Sequence, residues 1–271
     1  MTTLEAPGAL ETQLAAPPPK YSSEYWYMHF SENRSKGEAL PWQDPYRLDD
    51  GERRTVARSI QQFQIGEWAR GRGFIRRARA HPVFACDPWF VPALELFIAE
   101  EQNHSEMLGR FLDREQIPRL SHNLADSVFR RLRKLAGLEA CAAVLVTAEV
   151  MAVPFYQALR DATGSRLLRA ICVRVLCEEA THLTYQARTL GLIHRRLSAR
   201  SRRAHSVLHA ILFRGTALLV WCEHRRVFRA AGWNLQSFRA EANRVFFHLQ
   251  SRIRRFAESG RIDGRNDNRL D

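Results

Sequence analysis

Apolar residues recur every three to four positions along most of the 271-residue chain, and no long run alternates at period two. This spacing places apolar side chains on one face of an α-helix. Asn-Gly dipeptides are missing, and Asp-Gly occurs only at Asp50-Gly51 and Asp263-Gly264. The pattern therefore predicts an all-α fold.

Capping residues, prolines and glycines divide the apolar pattern into helices. The six predicted helices span about Asp50 to Ala80, Asp87 to Glu115, Leu138 to Ala162, Ser165 to Leu197, 199 to 230 and 234 to 258. The loop "IPRLSHN" and a basic turn, "DSVFRRLRKLAG", separate the second helix from the third. We expect the first four helices to form a four-helix bundle and the last two to add to it.

Composition extends this division to the whole chain. The predicted regions are a flexible tail (1–20), an aromatic-rich extension (21–49), the bundle (50–197), a basic helical pair (198–260) and a polar tail (261–271). The extension contains "YSSEYWYMHF". Its aromatic side chains either cover an edge of the bundle or form a lid over a site.

The net charge of +12 comes almost entirely from arginine. A basic surface favours acidic partners, such as nucleic acid, an anionic membrane face or an acidic carrier or redox protein. The alternative is that the arginines only solvate the outer helix faces. Nucleic-acid binding is disfavoured because stacked-aromatic platforms and groove-reading motifs are missing.

Cysteine usage and the apolar runs indicate a cytoplasmic protein. The five cysteines form no C-x-x-C pair, which suggests buried, reduced thiols. The N-terminal stretch lacks a basic start followed by a hydrophobic run, so no signal peptide is expected. The most apolar run, Leu138 to Leu159, carries Glu139 and Glu149 and suits a helix buried in a bundle better than one in lipid.

Two predicted helices share the pattern Glu-Glu-x-x-His. It stands at Glu100-Glu101-x-x-His104 and again at Glu178-Glu179-x-x-His182. Residues three apart lie on one helix face, so each motif presents a carboxylate and an imidazole to one point. A single Glu-x-x-His is weak evidence, but the other two bundle helices each carry a glutamate among apolar residues, Glu67 and Glu149.

Four carboxylates in a bundle interior require compensation. Ion pairing with arginine suits Glu95, Glu106 and Glu139, but Glu101 and Glu149 have no cationic residue three or four positions away. Two divalent cations would balance the four negative charges. The order Glu, Glu-x-x-His, Glu, Glu-x-x-His, one element per helix, is the pattern of di-iron and di-manganese bundles.

The arrangement resembles the ferritin-like di-iron carboxylate superfamily, and "EEQNHSEMLGRFL" is similar to the second-helix motif of oxygen-activating members such as the acyl carrier protein desaturases. The resemblance covers about residues 55 to 195. It implies a centre of two Fe ions, with Mn/Fe or Mn/Mn as alternatives. The implied ligands are Glu67, Glu101, His104, Glu149, Glu179 and His182, with Glu101 and Glu179 bridging and the other two glutamates terminal.

Departures from known members leave the subfamily open. The second histidine, His182, distinguishes the chain from storage ferritins, and the four-cysteine segment of rubrerythrins is missing. Val175 stands where arylamine N-oxygenases carry an additional histidine.

Several residues near the six are candidates for supporting roles. Glu100 and Glu178 lie one turn before a histidine and either accept its second ring N–H or are solvated. Tyr156 and Thr181 either border the site or belong to the core and the helix surface. The predicted apolar lining consists of Phe63, Ala148, Ala152, Val153 and Cys172.

The leading functional hypothesis is an oxidoreductase that uses O₂ to hydroxylate, desaturate or N-oxygenate an organic substrate. Flavin, haem and cluster motifs are missing, so we expect a ferredoxin or reductase as electron donor, and an acidic carrier protein would suit the basic surface. A dimer is expected. One alternative is a ferroxidase or peroxide-detoxifying protein without an organic substrate. Another is a metal-independent helical binder of nucleic acid or an acidic partner. The last two helices either cover the bundle or contact a membrane surface through "AILFRGTALLVW".

Overall fold

The computed structural model describes residues 19–35, 40–68, 71–121 and 137–259, and the regular structure in these ranges is entirely helical. The helices are α1 (Ser23–Ser35), α2 (Asp50–Glu67), α3 (Arg72–Ala80), α4 (Phe90–Arg114), α5 (Leu138–Asp161), α6 (Arg166–Arg195), α7 (Ala199–Ala230) and α8 (Leu235–Glu258). The all-α prediction is confirmed. The predictions for residues 1–18, for the basic turn before α5 and for residues 261–271 lie outside the described ranges.

Short polar side chains fix the starts of four helices. The Asp49 carboxylate accepts the backbone N–H of Glu52 at 2.8 Å, and Ser165 accepts that of Leu168 at 3.2 Å. Ser198 caps α7, and Asn234 forms a reciprocal capping box at the start of α8. Each cap satisfies an N–H that the first turn of a helix leaves without a partner, which is why these sequence signals predicted the boundaries well.

The predicted helix from Asp50 to Ala80 is wrong as a single element. Helix α2 ends at Glu67, and α3 begins at Arg72 after Gly71. Gly71 has a φ of +59°, and a Cβ atom built on it would lie 2.2 Å from the Ile98 Cδ1. Only glycine tolerates both conditions, so a glycine occupies the N-cap position of α3, four residues after a predicted ligand.

The helices that carry the predicted ligands pack in pairs. Helix α2 packs on α4, and α5 packs on α6. The loop between α5 and α6 has four residues, so these two helices are antiparallel neighbours. The remaining helices surround them, with α1 on α4, α7 on α5 and α2, and α8 on α6.

The aromatic extension forms α1, which was not predicted as a helix. Trp26 and Phe30 of α1 are fully buried, and the Phe30 ring centroid lies 5.3 Å from that of Tyr185 on α6. The extension therefore covers an edge of the central helices, as one of the two sequence alternatives stated.

Helices α5 and α7 are both long and apolar enough to cross a membrane by length and composition alone. The apolar window of α5 is 72% buried inside the protein, as expected for a core helix. The window of α7 is only 22% buried. The composition of α5 is thus explained by packing, whereas that of α7 is not.

Candidate metal centre

Two glutamates and two histidines from α4 and α6 meet in the protein interior. One ligand atom from each of Glu101, His104, Glu179 and His182 can be chosen so that all four atoms lie within 4.8 Å of one another. Both imidazoles are fully buried, and Glu179 is 1% exposed. This buried group could hold a metal ion, because carboxylate oxygens and imidazole nitrogens are ligands of iron, manganese and zinc.

The short contacts in this group cross between the two helices. The His182 Nδ1 lies 2.7 Å from the Glu101 Oε1, and the His104 Nδ1 lies 3.6 Å from the Glu179 Oε1. Within α6, the His182 Nδ1 is 3.9 Å from the Glu179 Oε2. The two Glu-x-x-His motifs therefore form one cluster, in which the Nδ1 atoms face the carboxylates.

The second ring nitrogen of each histidine also contacts the opposite helix. The His104 Nε2 lies 2.6 Å from the Glu178 Oε2, and the His182 Nε2 lies 2.9 Å from the Glu100 Oε2. We expected each glutamate to contact the histidine of its own helix, and the structure exchanges the two partners. The reason is that residues i and i+4 project side by side from the same face of a helix. Their side chains therefore reach across to the facing helix rather than towards each other.

These contacts also set the tautomer of each ring. A carboxylate accepts hydrogen bonds, so the Nε2–H of each imidazole donates to it. In the neutral ring, Nδ1 then carries the lone pair and faces the Glu101 and Glu179 carboxylates. Arg174 Nε donates to the Glu178 Oε1 at 2.7 Å and holds this carboxylate in place.

Glu67 and Glu149 lie at the same site but outside the group of four. Both are buried, and both line a cavity of about 150 Å³ that Glu101 and Glu179 also line. The Tyr156 hydroxyl donates to the Glu67 Oε1 at 2.9 Å, and the Gln186 Nε2 donates to the Glu149 Oε1 at 3.2 Å. The structure thus brings all four predicted carboxylates to one cavity.

Burial makes the cluster electrostatically costly without a cation. It raises the pKa of Glu149 to about 8, and it raises the pKa of Glu67 and Glu179 well above the usual range, with the Glu101 charge adding to each shift. Burial alone opposes a charged imidazole, yet the Glu101 carboxylate holds the pKa of His182 well above its usual range. Protons therefore neutralise the cluster in part when no cation does.

Several ligand atoms have no hydrogen-bond partner despite being buried. These atoms are the Glu149 Oε2, the Glu179 Oε2 and the His104 Nδ1, together with the Glu101 Oε1 and the His182 Nδ1, whose close polar contact is with each other, at 2.7 Å. Buried polar atoms are paired in nearly all proteins, so a concentration of unpaired atoms that face one another indicates a missing partner. A cation would satisfy all of them at once, whereas a proton would satisfy one or two.

The other predicted site residues divide into two groups. Phe63, Ala148 and Ala152 line the cavity, and Tyr156 contacts Glu67 as described above. Val153 and Thr181 are half-buried and Cys172 is fully buried, and none of the three lines the cavity. Ion pairing with arginine was predicted for Glu95, Glu106 and Glu139. The structure pairs Glu95 with Arg79 and Glu106 with Arg119, whereas Glu139 contacts His194 and His205.

Sequence reasoning missed two parts of the site. Gln186 lies four residues after His182, one turn along the same helix face, and this spacing could have identified it. Helix α7 closes one side of the cavity through Leu219, Glu223 and His224. No local motif marks these α7 residues, because their position depends on how α7 packs on α2 and α5.

The chain was compared with protein-family models, with curated proteins and with solved structures, and none of the three comparisons gives a match.

Proposed function

We propose that the protein is a non-haem di-iron oxidoreductase that uses O₂ to oxidise an organic substrate. The supporting observation is that four glutamates line one otherwise apolar cavity, and that two of them, Glu101 and Glu179, form a buried cluster with His104 and His182 in which several ligand atoms lack a hydrogen bond. Four glutamates and two histidines provide the charge and the donor atoms that two divalent ions require.

The proposed ligands are Glu67, Glu101, His104, Glu149, Glu179 and His182. When bound, a pair of reduced iron ions supplies electrons for dioxygen reduction that a single ion cannot. Manganese in one or both positions is the alternative metal content. A ferredoxin or reductase is the proposed electron donor.

The surrounding side chains orient the ligands and exclude water. Glu178 and Glu100 fix the rings of His104 and His182 through their Nε2–H groups, and Gln186 and Tyr156 fix Glu149 and Glu67. Such outer contacts raise ligand basicity and hold geometry. Phe63, Phe97 and Met151 on the cavity wall keep water from the reacting atoms.

The apolar cavity favours an organic substrate over a purely inorganic one. Most of its lining outside the carboxylates is aliphatic or aromatic. Iron ions on their way to a storage site require a polar path, which these side chains do not provide. The substrate therefore has an apolar portion that fits beside the carboxylates.

The decisive experiment measures metal content after anaerobic reconstitution with ferrous iron. The wild type is expected to retain about two metal ions per chain, and the His104→Ala/His182→Ala variant is expected to lose most of them. The His205→Ala/His248→Ala variant removes two histidines outside the site and should match the wild type. A wild type that retains no transition metal contradicts the proposal.

The reaction class is tested on the same samples. Exposure of the iron-loaded protein to O₂ should give an absorbance transient and O₂ consumption that depends on His104 and His182. Assembly into a spherical multi-subunit shell with iron retained as mineral would instead indicate the ferroxidase alternative. Salt-sensitive RNA binding that survives loss of both histidines would indicate the metal-independent binder.

A further inference from the structure

The outward face of α7 carries exposed aliphatic residues in its middle, with Arg214 among them, and arginines at both ends. Leu208 and Leu218 are each 62% exposed, Ile211 is 59% exposed and Val207 is 54% exposed. These four residues extend over about 18 Å of helix. Single exposed apolar residues are ordinary, but four within about three turns of one helix mark an interaction surface.

Helical geometry places the flanking arginines on this same face. At 100° per residue, Arg200, Val207, Ile211, Leu218, Arg225 and Arg229 fall within about 40° of one another around the axis. Four further exposed residues lie about 40–80° from the middle of this stripe: Arg203, Leu208, Arg214 and Arg226. The only acidic residue of α7, Glu223, is half-buried at the cavity. We call this face, from Arg200 to Arg229, the α7 outer face.

The opposite side of α7 belongs to the protein interior. His209, Phe213, Thr216 and His224 are buried there. The His209 Nε2 lies 3.0 Å from the Thr147 Oγ1, and the His224 Nδ1 lies 3.0 Å from the Ser59 Oγ. These polar contacts hold α7 against α5 and α2, so its apolar composition fits a helix that lies along a lipid surface and does not cross the bilayer.

We propose that the α7 outer face docks the protein onto an anionic lipid bilayer. Aliphatic side chains enter the boundary between headgroups and acyl chains, and arginines on either side contact lipid phosphates while their stems stay in the apolar layer. Arginine rather than lysine suits this role because guanidinium binds phosphate through two parallel N–H donors. This inference does not depend on the metal centre.

A second copy of the chain is a poorer occupant of this surface. An isologous contact, whether the two α7 helices run parallel or antiparallel, places one arginine-rich end opposite another. Like charges in apposition oppose such a contact. Both ends instead require a negatively charged partner, and the aliphatic middle requires one with an apolar layer.

The cavity borders this surface, which connects lipid docking with substrate access. Leu219 and Val220 line the cavity, and their neighbour Leu218 belongs to the α7 outer face. Leu219 is itself 36% exposed, so docking through α7 would bring this side of the cavity towards the bilayer, where, on the function proposed above, an apolar substrate would be dissolved. The experiment below tests only the binding of the protein to lipid vesicles.

The test is co-sedimentation of the full chain with vesicles of phosphatidylcholine, with and without phosphatidylglycerol. The wild type should bind the anionic vesicles and lose at least tenfold in affinity on neutral ones. Leu208→Gln/Leu218→Gln should lose at least tenfold on anionic vesicles. The control Met28→Gln/Val173→Gln changes two exposed apolar residues on α1 and α6 and should bind as the wild type does.

A second pair of variants tests the charges at equal net charge. Arg225→Gln/Arg226→Gln/Arg229→Gln should lose at least tenfold on anionic vesicles, whereas Arg239→Gln/Arg254→Gln/Arg255→Gln, exposed positions on α8, should lose much less. Circular dichroism and thermal unfolding confirm that each variant folds. Equal losses of vesicle affinity in the test and control variants overturn the proposal. A wild type that does not bind anionic vesicles also overturns it. Light scattering tests self-association. If the wild type is a dimer and Leu208→Gln/Leu218→Gln is a monomer, the lipid proposal is overturned in favour of a contact between two copies of the chain.

Discussion

At the scale of single residues, the site depends on side chains that exchange partners between helices. Each histidine has its Nδ1 near the Glu-x-x-His glutamate of the opposite helix and its Nε2 near the preceding glutamate of that helix. Each of α4 and α6 therefore contributes one histidine that contacts two glutamates of the other helix. The same contacts that orient the rings for a metal therefore also link the two helices.

The exchanged pairing predicts which residues are energetically coupled. Glu178→Gln should weaken ferrous-iron affinity about 10- to 100-fold, the usual effect of losing such a support. In a His104→Ala background, Glu178→Gln should lower the iron affinity little further, because the imidazole that Glu178 contacts is already missing. In a His182→Ala background it should cost the full amount, since His182 contacts Glu100 instead.

Anaerobic metal titration of the single and double variants completes this double-mutant cycle. Glu100→Gln is the matched control and should couple to His182. Coupling of Glu178 to His182, its own-helix neighbour, would show that the ring contacts are assigned to the wrong residues.

At the scale of helices, sequence spacing was informative within an element and uninformative between elements. The i, i+3 rule placed Glu101 beside His104 and Glu179 beside His182, and the structure brings these four together. The contribution of α7 to the cavity wall was not predicted, because it depends on the rotation and offset of packed helices. The break between α2 and α3 was missed for a similar reason, since the limit on a side chain at position 71 comes from Ile98 on another helix.

The break between α2 and α3 can be tested with a pair of glycines. Gly71→Ala forces a side chain into a left-handed backbone and against Ile98, so we expect a loss of about 2 kcal/mol in the free energy of unfolding. Gly66→Ala, in the last turn of α2, meets no atom within 4 Å and should leave stability unchanged or raise it by about 0.5–1 kcal/mol. Urea denaturation of both variants measures the difference. Equal stabilities would mean that Gly71 is not what determines the break.

At the scale of the whole molecule, charge is separated between inside and outside. The chain carries a net charge of +12, yet its interior concentrates four carboxylates around one cavity. Folding without a metal must therefore keep protons on several glutamates, whose pKa values burial raises. Metal and protons compete for the same interior, so stability, pH and metal content are linked.

This competition predicts how the stability of the metal-free protein depends on pH. The Glu149 pKa rises from 4.5 to about 8 on folding, so between these values the native state holds a proton that the unfolded chain has released. The stabilisation is complete below pH 4.5 and is lost as the pH rises through 8. From pH 6.5 to 8 this one group should lower the free energy of unfolding by about 2 kcal/mol.

Chemical denaturation of chelated protein across this range measures the effect. Glu149→Gln removes the titrating group and should flatten the decline, whereas Glu258→Gln, at an exposed position on α8, should leave it as in the wild type. Ferrous iron under anaerobic conditions should abolish the decline, because the cation replaces the proton as the partner of the carboxylate. A metal-free protein whose stability stays level or rises from pH 6.5 to 8 would show that these glutamates are ionised and otherwise compensated. The cluster would then have no need of a cation.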